Sequence, residues 1–149
     1  MKHYWSLLFL VCTLLSCQND DDNHNNVLTC TDAGDCDKCV VIDGTLYDEI
    51  ATDNYFIANV IINGDCLEIE LTSSGCDGST WVVDLVDSGA LLESAPPQRL
   101  LKLNLKNLEL CDAVITQSHS FNASELQESN FDTVILNIQD WGESIDYNY

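Results

Sequence analysis

Positive charge is scarce in this 149-residue chain: five lysines and arginines stand against 25 aspartates and glutamates, a formal net charge of −20. Binding a nucleic-acid backbone works by replacing condensed cations with Lys and Arg, so a surface of this sign repels nucleic acid, and anionic lipid headgroups for the same reason. Histidine is scarce too. Of the three, His3 and His24 fall near the amino terminus, and only His119 lies in a segment expected to be ordered. Catalysis by a Ser-His-Asp or Cys-His set needs a held imidazole. His119, between Ser118 and Ser120, reads instead as an exposed strand residue. The chain contains no G-x-S-x-G elbow, H-E-x-x-H, Walker loop or G-x-G-x-x-G. Acidic residues are so many that some pair will sit at a glycosidase spacing by chance, so carboxylate pairs discriminate nothing. Long apolar runs are also missing. A membrane-spanning helix needs about 20 apolar residues, and the longest candidate, Tyr4 to Leu15, stops short of that.

What is present at the amino terminus has the layout of a signal peptide over residues 1–16: Lys2 and His3, the apolar run, then small Ser16 before Cys17. Leu14-Leu15-Ser16-Cys17 resembles the lipobox of bacterial lipoproteins. That resemblance implies cleavage between Ser16 and Cys17, diacylglycerol on the Cys17 thiol and acylation of the freed amine. Two or three acyl chains hold a protein stably on a membrane, at about 0.8 kcal/mol per buried CH₂. An ordinary secretory peptide ending in Cys is the alternative. Gln18-Asn19-Asp20-Asp21-Asp22 resembles the acidic export signal of Bacteroidota surface lipoproteins, which implies the outer face of the outer membrane. A solvated acidic linker is its competing reading. Residues 17–29 carry too little apolar surface to offset the entropy of ordering and form a flexible acidic tether on either reading.

Once Cys12 leaves with the signal and Cys17 is lipidated, Cys30, Cys36, Cys39, Cys66, Cys76 and Cys111 remain, an even set that in an exported protein suggests disulfides. Cys76 with Cys111 is the favoured pair, since both sit beside predicted strands; the pairing of the other four is left open. Cys36-Asp37-Lys38-Cys39 has C-x-x-C spacing, used in thiol oxidoreductases and in half of a four-cysteine zinc site. A redox thiol needs a helix N-terminus to lower its pKa, but strand-like Val40-Val41-Ile42 follows.

Residues 30–44 read as a cysteine-rich cap and residues 45–149 as the folded domain. Alternation with turn punctuation dominates it. Tyr55 to Ile62 and Cys66 to Thr72 flank Asn63-Gly64-Asp65 as a hairpin; Trp81, Val83 and Leu85 alternate up to a turn at Asp87-Ser88-Gly89; Ala90 to Glu93 is a separate short piece; Pro96-Pro97 marks a strand end. Arg99 to Leu110 fits both a strand and one face of a helix; strand is chosen, with a bulge near Lys106-Asn107 returning Leu108 and Leu110 to the buried face. Ala113 to Phe121, one helical turn at Ser124 to Glu128, Phe131 to Gln139 and an edge at Trp141 to Tyr149 complete the series. The expected fold is all-β: a disulfide-stapled antiparallel β-sandwich of about seven or eight strands, immunoglobulin-like in strand spacing, with a small barrel as the alternative.

Ser74-Gly75-Cys76, Glu93-Ser94-Ala95-Pro96-Pro97-Gln98 and Cys111-Asp112-Ala113 look like loop elements of an uncharacterised family of Bacteroidota lipoproteins. A His commonly follows the first of these cysteines in that family; Asp77-Gly78-Ser79-Thr80-Trp81 stands here, and no activity carries over.

The resulting expectation is a lipid-anchored surface lipoprotein, not an enzyme, whose partner is the membrane through Cys17 together with a protein or glycan ligand, and not nucleic acid. No cofactor is expected. Calcium is the most plausible ion, since hard cations want several oxygens and Asp32, Asp35 and Asp37 lie close together, with Asp43, Asp48, Glu49 and Asp53 as a second cluster. A first alternative is a calcium-dependent glycan or adhesion module stacking sugars on Trp81, Trp141 or Tyr147. A second is an enzyme, thiol-redox through Cys36 and Cys39 or hydrolytic through carboxylates.

Overall fold

The computed structural model describes residues 32–149. Expectations that fall on residues 1–31, namely signal cleavage at Ser16, lipidation at Cys17, export through Gln18, Asn19, Asp20, Asp21 and Asp22, and any bridge seen from Cys30, lie outside the described residues.

Two facing sheets make the domain. One holds four strands in the order β1-β7-β4-β3 and the other five in the order β2-β5-β6-β8-β9. In chain order these are β1 (Lys38–Cys39), β2 (Val41–Ile42), a helix α1 (Gly44–Glu49), β3 (Phe56–Asn63), β4 (Cys66–Gly75), β5 (Val82–Leu92), β6 (Gln98–Lys106), β7 (Ala113–Asn122), a 3₁₀ turn (Ser124–Leu126), β8 (Thr133–Ile138) and β9 (Ser144–Asn148). Hairpin β3–β4 turns at Gly64, whose φ of 58° suits the primed turns that match strand twist.

Period-two alternation places the core. Leu67, Ile69 and Leu71 of β4 face Val83 and Leu85 of β5 and Leu101, Leu103 and Leu105 of β6, with Phe121, Val134, Leu136, Ile138 and Tyr147 closing the interior. A fully buried Leu or Ile contributes about 1.5–3 kcal/mol, so this one layer carries most of the stability.

Several expectations are corrected. Residues 30–44 are not a separate cap as far as they are described: β1 pairs with β7 and β2 with β5, so the segment is woven into both sheets. These two pairings and β6 with β8 are parallel, and the remaining ladders are antiparallel. A helix forms at Gly44–Glu49, where no helix was expected, because Asp43 Oδ1 accepts the Leu46 N–H at 2.9 Å and caps its first turn. Asp87-Ser88-Gly89 is a bulge inside a continuous β5, not a turn: the register to β6 shifts between Asp87 and Leu91, and Gly89 takes a φ of 70°. Val86, on the outer face of β5, is fully buried; α1 packs on β5, and Lys102 Nζ binds the Tyr47 and Ile50 carbonyls, each at 3.1 Å.

Register defines two ends. Cys66 pairs with Asn122 at one end and Gly75 with Ala113 at the other. The described chain starts beside the first, where Asn122 Nδ2 donates to the Asp32 carbonyl at 3.3 Å. Ten residues of β4 separate the ends by about 30 Å at ~3.3 Å per residue.

Candidate functional site

At the end remote from Asp32, the β6–β7 connection inverts the polarity that its sequence suggests. Leu108 and Leu110 do not return to the interior; they are 73% and 96% exposed. Asn107 before them and Glu109 between them are the residues turned in. Asn107 takes an N–H···O bond at 2.7 Å to Asp53 Oδ2 and donates Nδ2 to the Ser74 carbonyl at 2.6 Å. Glu109 reaches into the loop after β4: its Oε2 accepts the N–H groups of Cys76, Asp77 and Gly78, and its Oε1 accepts the Thr80 hydroxyl at 3.1 Å. Cys111 is bonded to Cys76, the pair favoured from the flanking strands.

Gly75 makes room for this clamp. A Cβ there would come within 2.5 Å of Glu109 Oε2 and 3.2 Å of the Trp81 ring. Desolvation pushes the Glu109 carboxyl up, but the N–H groups of Gly78, Cys76 and Thr80 and the Thr80 hydroxyl outweigh it and hold the group down at about 2. This nest of N–H groups is an anion site filled by the chain's own carboxylate. Its product is a stiff loop with two leucines fixed in solvent and Val114, 79% exposed, at the start of β7 beside it. Such aliphatic groups gain nothing within the domain and are what a partner's apolar pocket would bury.

Around Asp32 the closure is polar. Cys36 is bonded to Cys66. Asp37 accepts the Ser120 N–H at 2.9 Å and its hydroxyl at 2.8 Å, and these bonds, backbone first, lower its pKa despite some desolvation. Tyr147 donates to Asp65, and its phenol is pushed up by burial and then by that carboxylate. Between the sheets, Arg99 donates to Asp87 Oδ1 at 3.0 Å, to Glu128 and to the Leu126 carbonyl at 3.1 Å. Asp87 is fully buried; desolvation raises its pKa against the lowering by the Gly89 N–H and Arg99. A guanidinium wedged between two carboxylates leaves neither free to trade protons with a substrate, so this trio is a structural plug.

Other sequence candidates are dispersed. Cys36 and Cys39 are not bonded to each other, since Cys36 bonds Cys66 and Cys39 is itself in a disulfide; the C-x-x-C therefore offers neither a dithiol nor half a zinc site. Asp32 caps the Gly34 N–H, Asp37 is engaged with Ser120, and no three acidic, His or Cys side chains among the described residues gather as a metal site. In the second cluster Asp43 caps α1 and Asp53 accepts from Asn107, while Asp48 and Glu49 lie on α1 and join no group of three that could hold a metal among the described residues. Of the sugar-stacking aromatics, Tyr147 and Trp81 are core residues and Trp141 packs against the core. His119 is half-buried rather than exposed, on the inner face of β7, and desolvation, then Lys38, lower its pKa against the raising effect of Asp37.

Sequence reasoning missed the leucine loop because alternation cannot say which alternate set faces in. The Asn-x-Glu-x-Cys pattern of Asn107, Glu109 and Cys111 carried the signal: three groups able to bond, spaced by two.

No family model and no curated protein matches the sequence. Among solved structures, the fold is similar to a protein of unknown function, DUF1344, from Bacteroides vulgatus ATCC 8482, with a TM-score of 0.51 and 13% identity over 74% of this chain. The chain spans 56% of the length of that structure. At this identity the likeness supports the two-sheet fold alone.

Proposed function

We propose that the protein is a lipid-anchored lipoprotein of the outer membrane and cell surface, and that its β-sandwich is a non-enzymatic binding module using the leucine loop. The observation that carries this reading is the exposure of Leu108 and Leu110 on a loop clamped by Asn107, Glu109 and the Cys76–Cys111 bridge. The lipobox Leu14-Leu15-Ser16-Cys17 supports the anchor. Because the described chain begins at the opposite end, a tether on that side would hold the leucines about 30 Å further from the bilayer than Asp32.

The partner is a protein with an apolar pocket, its rim neutral or basic so as to tolerate this acidic surface. Two measurements test the proposal. Intact mass of the protein from its own membrane should show acyl chains on Cys17, and protease shaving of whole cells should remove the domain; an unmodified Cys17 removes the anchor. A photo-crosslinking residue in place of Leu110 should yield one discrete adduct on intact cells, lost when Leu108 is changed to Ser. No adduct there ends the assignment of the loop.

A further inference from the structure

β7 is nearly a bare edge. β4 covers one side of it over its whole length, from Gly75↔Ala113 to Cys66↔Asn122. On the other side, β1 reaches only Phe121 and Asn122. Which backbone groups are left open follows from two bonds. The Ser120 N–H points away from β4, to Asp37, and so does the Asn122 carbonyl, to the Val40 N–H at 3.2 Å. Alternation along an unbroken ladder then turns the N–H and C=O of Val114, Thr116 and Ser118 the same way, while Ile115, Gln117 and His119 bond to β4. Among the described residues, nothing covers those three.

Natural sheets protect such an edge with charge, proline or a bulge. Residues 113–120 have no proline, no Lys, Arg, Asp or Glu, and no break in the β4 register. The other edge of this sheet, β3, carries an irregularity between Ile57 and Asn59. β7 is thus the undefended side.

The outer face beside it has a definite charge. Glu70 lies across from Ser118 and Glu68 across from Ser120, and neither glutamate pairs with a described residue. The serines are short. A strand added beyond β7 would stand about 10 Å from β4, two strand spacings away, and its outward Lys or Arg side chains would reach over Ser118 to Glu70. Asp37, at the end of the open stretch, adds a third carboxylate.

We propose that the open edge of β7, from Val114 to Ser118, takes an extended segment of another polypeptide as an added strand, one with outward Lys or Arg side chains and inward apolar ones. Backbone bonds to Val114, Thr116 and Ser118 provide the docking, and Glu68, Glu70 and Asp37 select basic over acidic segments. This surface adjoins the leucine loop at Val114, but the backbone edge needs neither Leu108, Leu110 nor the lipid anchor.

The test uses the purified full chain and a synthetic peptide of about nine residues alternating valine with lysine, with its glutamate-for-lysine counterpart as control. Amide exchange is read residue by residue. In the free protein the Val114, Thr116 and Ser118 amides should exchange rapidly, and the lysine peptide should slow them by about tenfold or more. The Ile115, Gln117 and His119 amides should be protected throughout, and the glutamate peptide should change nothing. Thr116→Pro, which deletes an outward N–H and no ladder bond, should abolish binding. Glu68→Gln with Glu70→Gln should weaken it by about tenfold while leaving the edge amides open. Equal binding of both peptides overturns the proposal. So does protection of the three amides before any peptide is added, whether by another part of the chain or in a dimer detected by sedimentation.

Discussion

Around Asp32, charge is drawn in and the surface left polar: Arg99 joins Asp87 and Glu128 between the sheets, and Asp37 and Asp65 take up Ser120 and Tyr147. Around Gly75, Asn107 and Glu109 turn inward in the same way, but the loop that carries them leaves Leu108 and Leu110 in solvent. Both ends are stapled by a disulfide. The difference is therefore not one of rigidity. What separates them is degree: Leu91, Leu92 and Phe131 at the first end are 41–42% exposed, whereas Leu108 and Leu110 at the second are 73% and 96% exposed, which on the reading proposed above makes the second the working surface.

The largest way to break this comparison is at the polar plug. Arg99→Leu leaves Asp87 ionised and buried without its cation, and should cost about 3–5 kcal/mol in urea unfolding. At the other end, Cys76→Ser with Cys111→Ser should cost about 2–4 kcal/mol, and exchange should quicken locally at residues 76–80 and 107–111.

Acid should separate Glu109 from Asp87 by sign. Glu109 titrates at about 2 against an ordinary 4.5, so the stability it contributes is complete above about 4.5 and is lost as pH falls toward 2. Asp87 has a raised pKa, so the native state takes up its proton more readily than the unfolded chain. Its ionisation weakens the fold as pH rises above the ordinary 3.8 through the raised value, and acidification relieves that. NMR titration should show the Gly78 and Cys76 amides shifting toward pH 2 with the leucine loop loosening, while Asp87 takes up its proton at higher pH. Glu109→Gln should remove the first response and leave the second. Least of all, Leu108→Ser should alter unfolding free energy by no more than about 0.5 kcal/mol, yet abolish the crosslink from position 110 described above.

Much of the fold was legible. The alternation in Cys66 to Thr72, in Trp81 to Leu85 and within Phe131 to Gln139 places buried side chains correctly, because a strand's two faces are written at a spacing of two. Alternation failed where a side-chain bond outweighs it. Leu108 and Leu110 have the right period but the wrong face, since turning them in would pull Glu109 out of five N–H and hydroxyl contacts. It failed also at α1, where a single Asp43 cap organises six residues that carry no long helical period, and at Asp87-Ser88-Gly89, where turn chemistry serves a bulge instead.

By itself the sequence determined the acidic character, the all-β class and most strand positions, because each depends on composition or on neighbours within a few residues, and those strand positions made Cys76–Cys111 the favoured pair. Tertiary structure alone decided that Cys36 bonds Cys66 and not Cys39, that Glu109 clamps a loop some 30 residues earlier, that Tyr147 is core and Leu110 surface, and that β7 keeps an open edge. These are outcomes of register between strands far apart in the chain, and register is set by which long-range contacts can all be satisfied together, a quantity that no local window of residues contains.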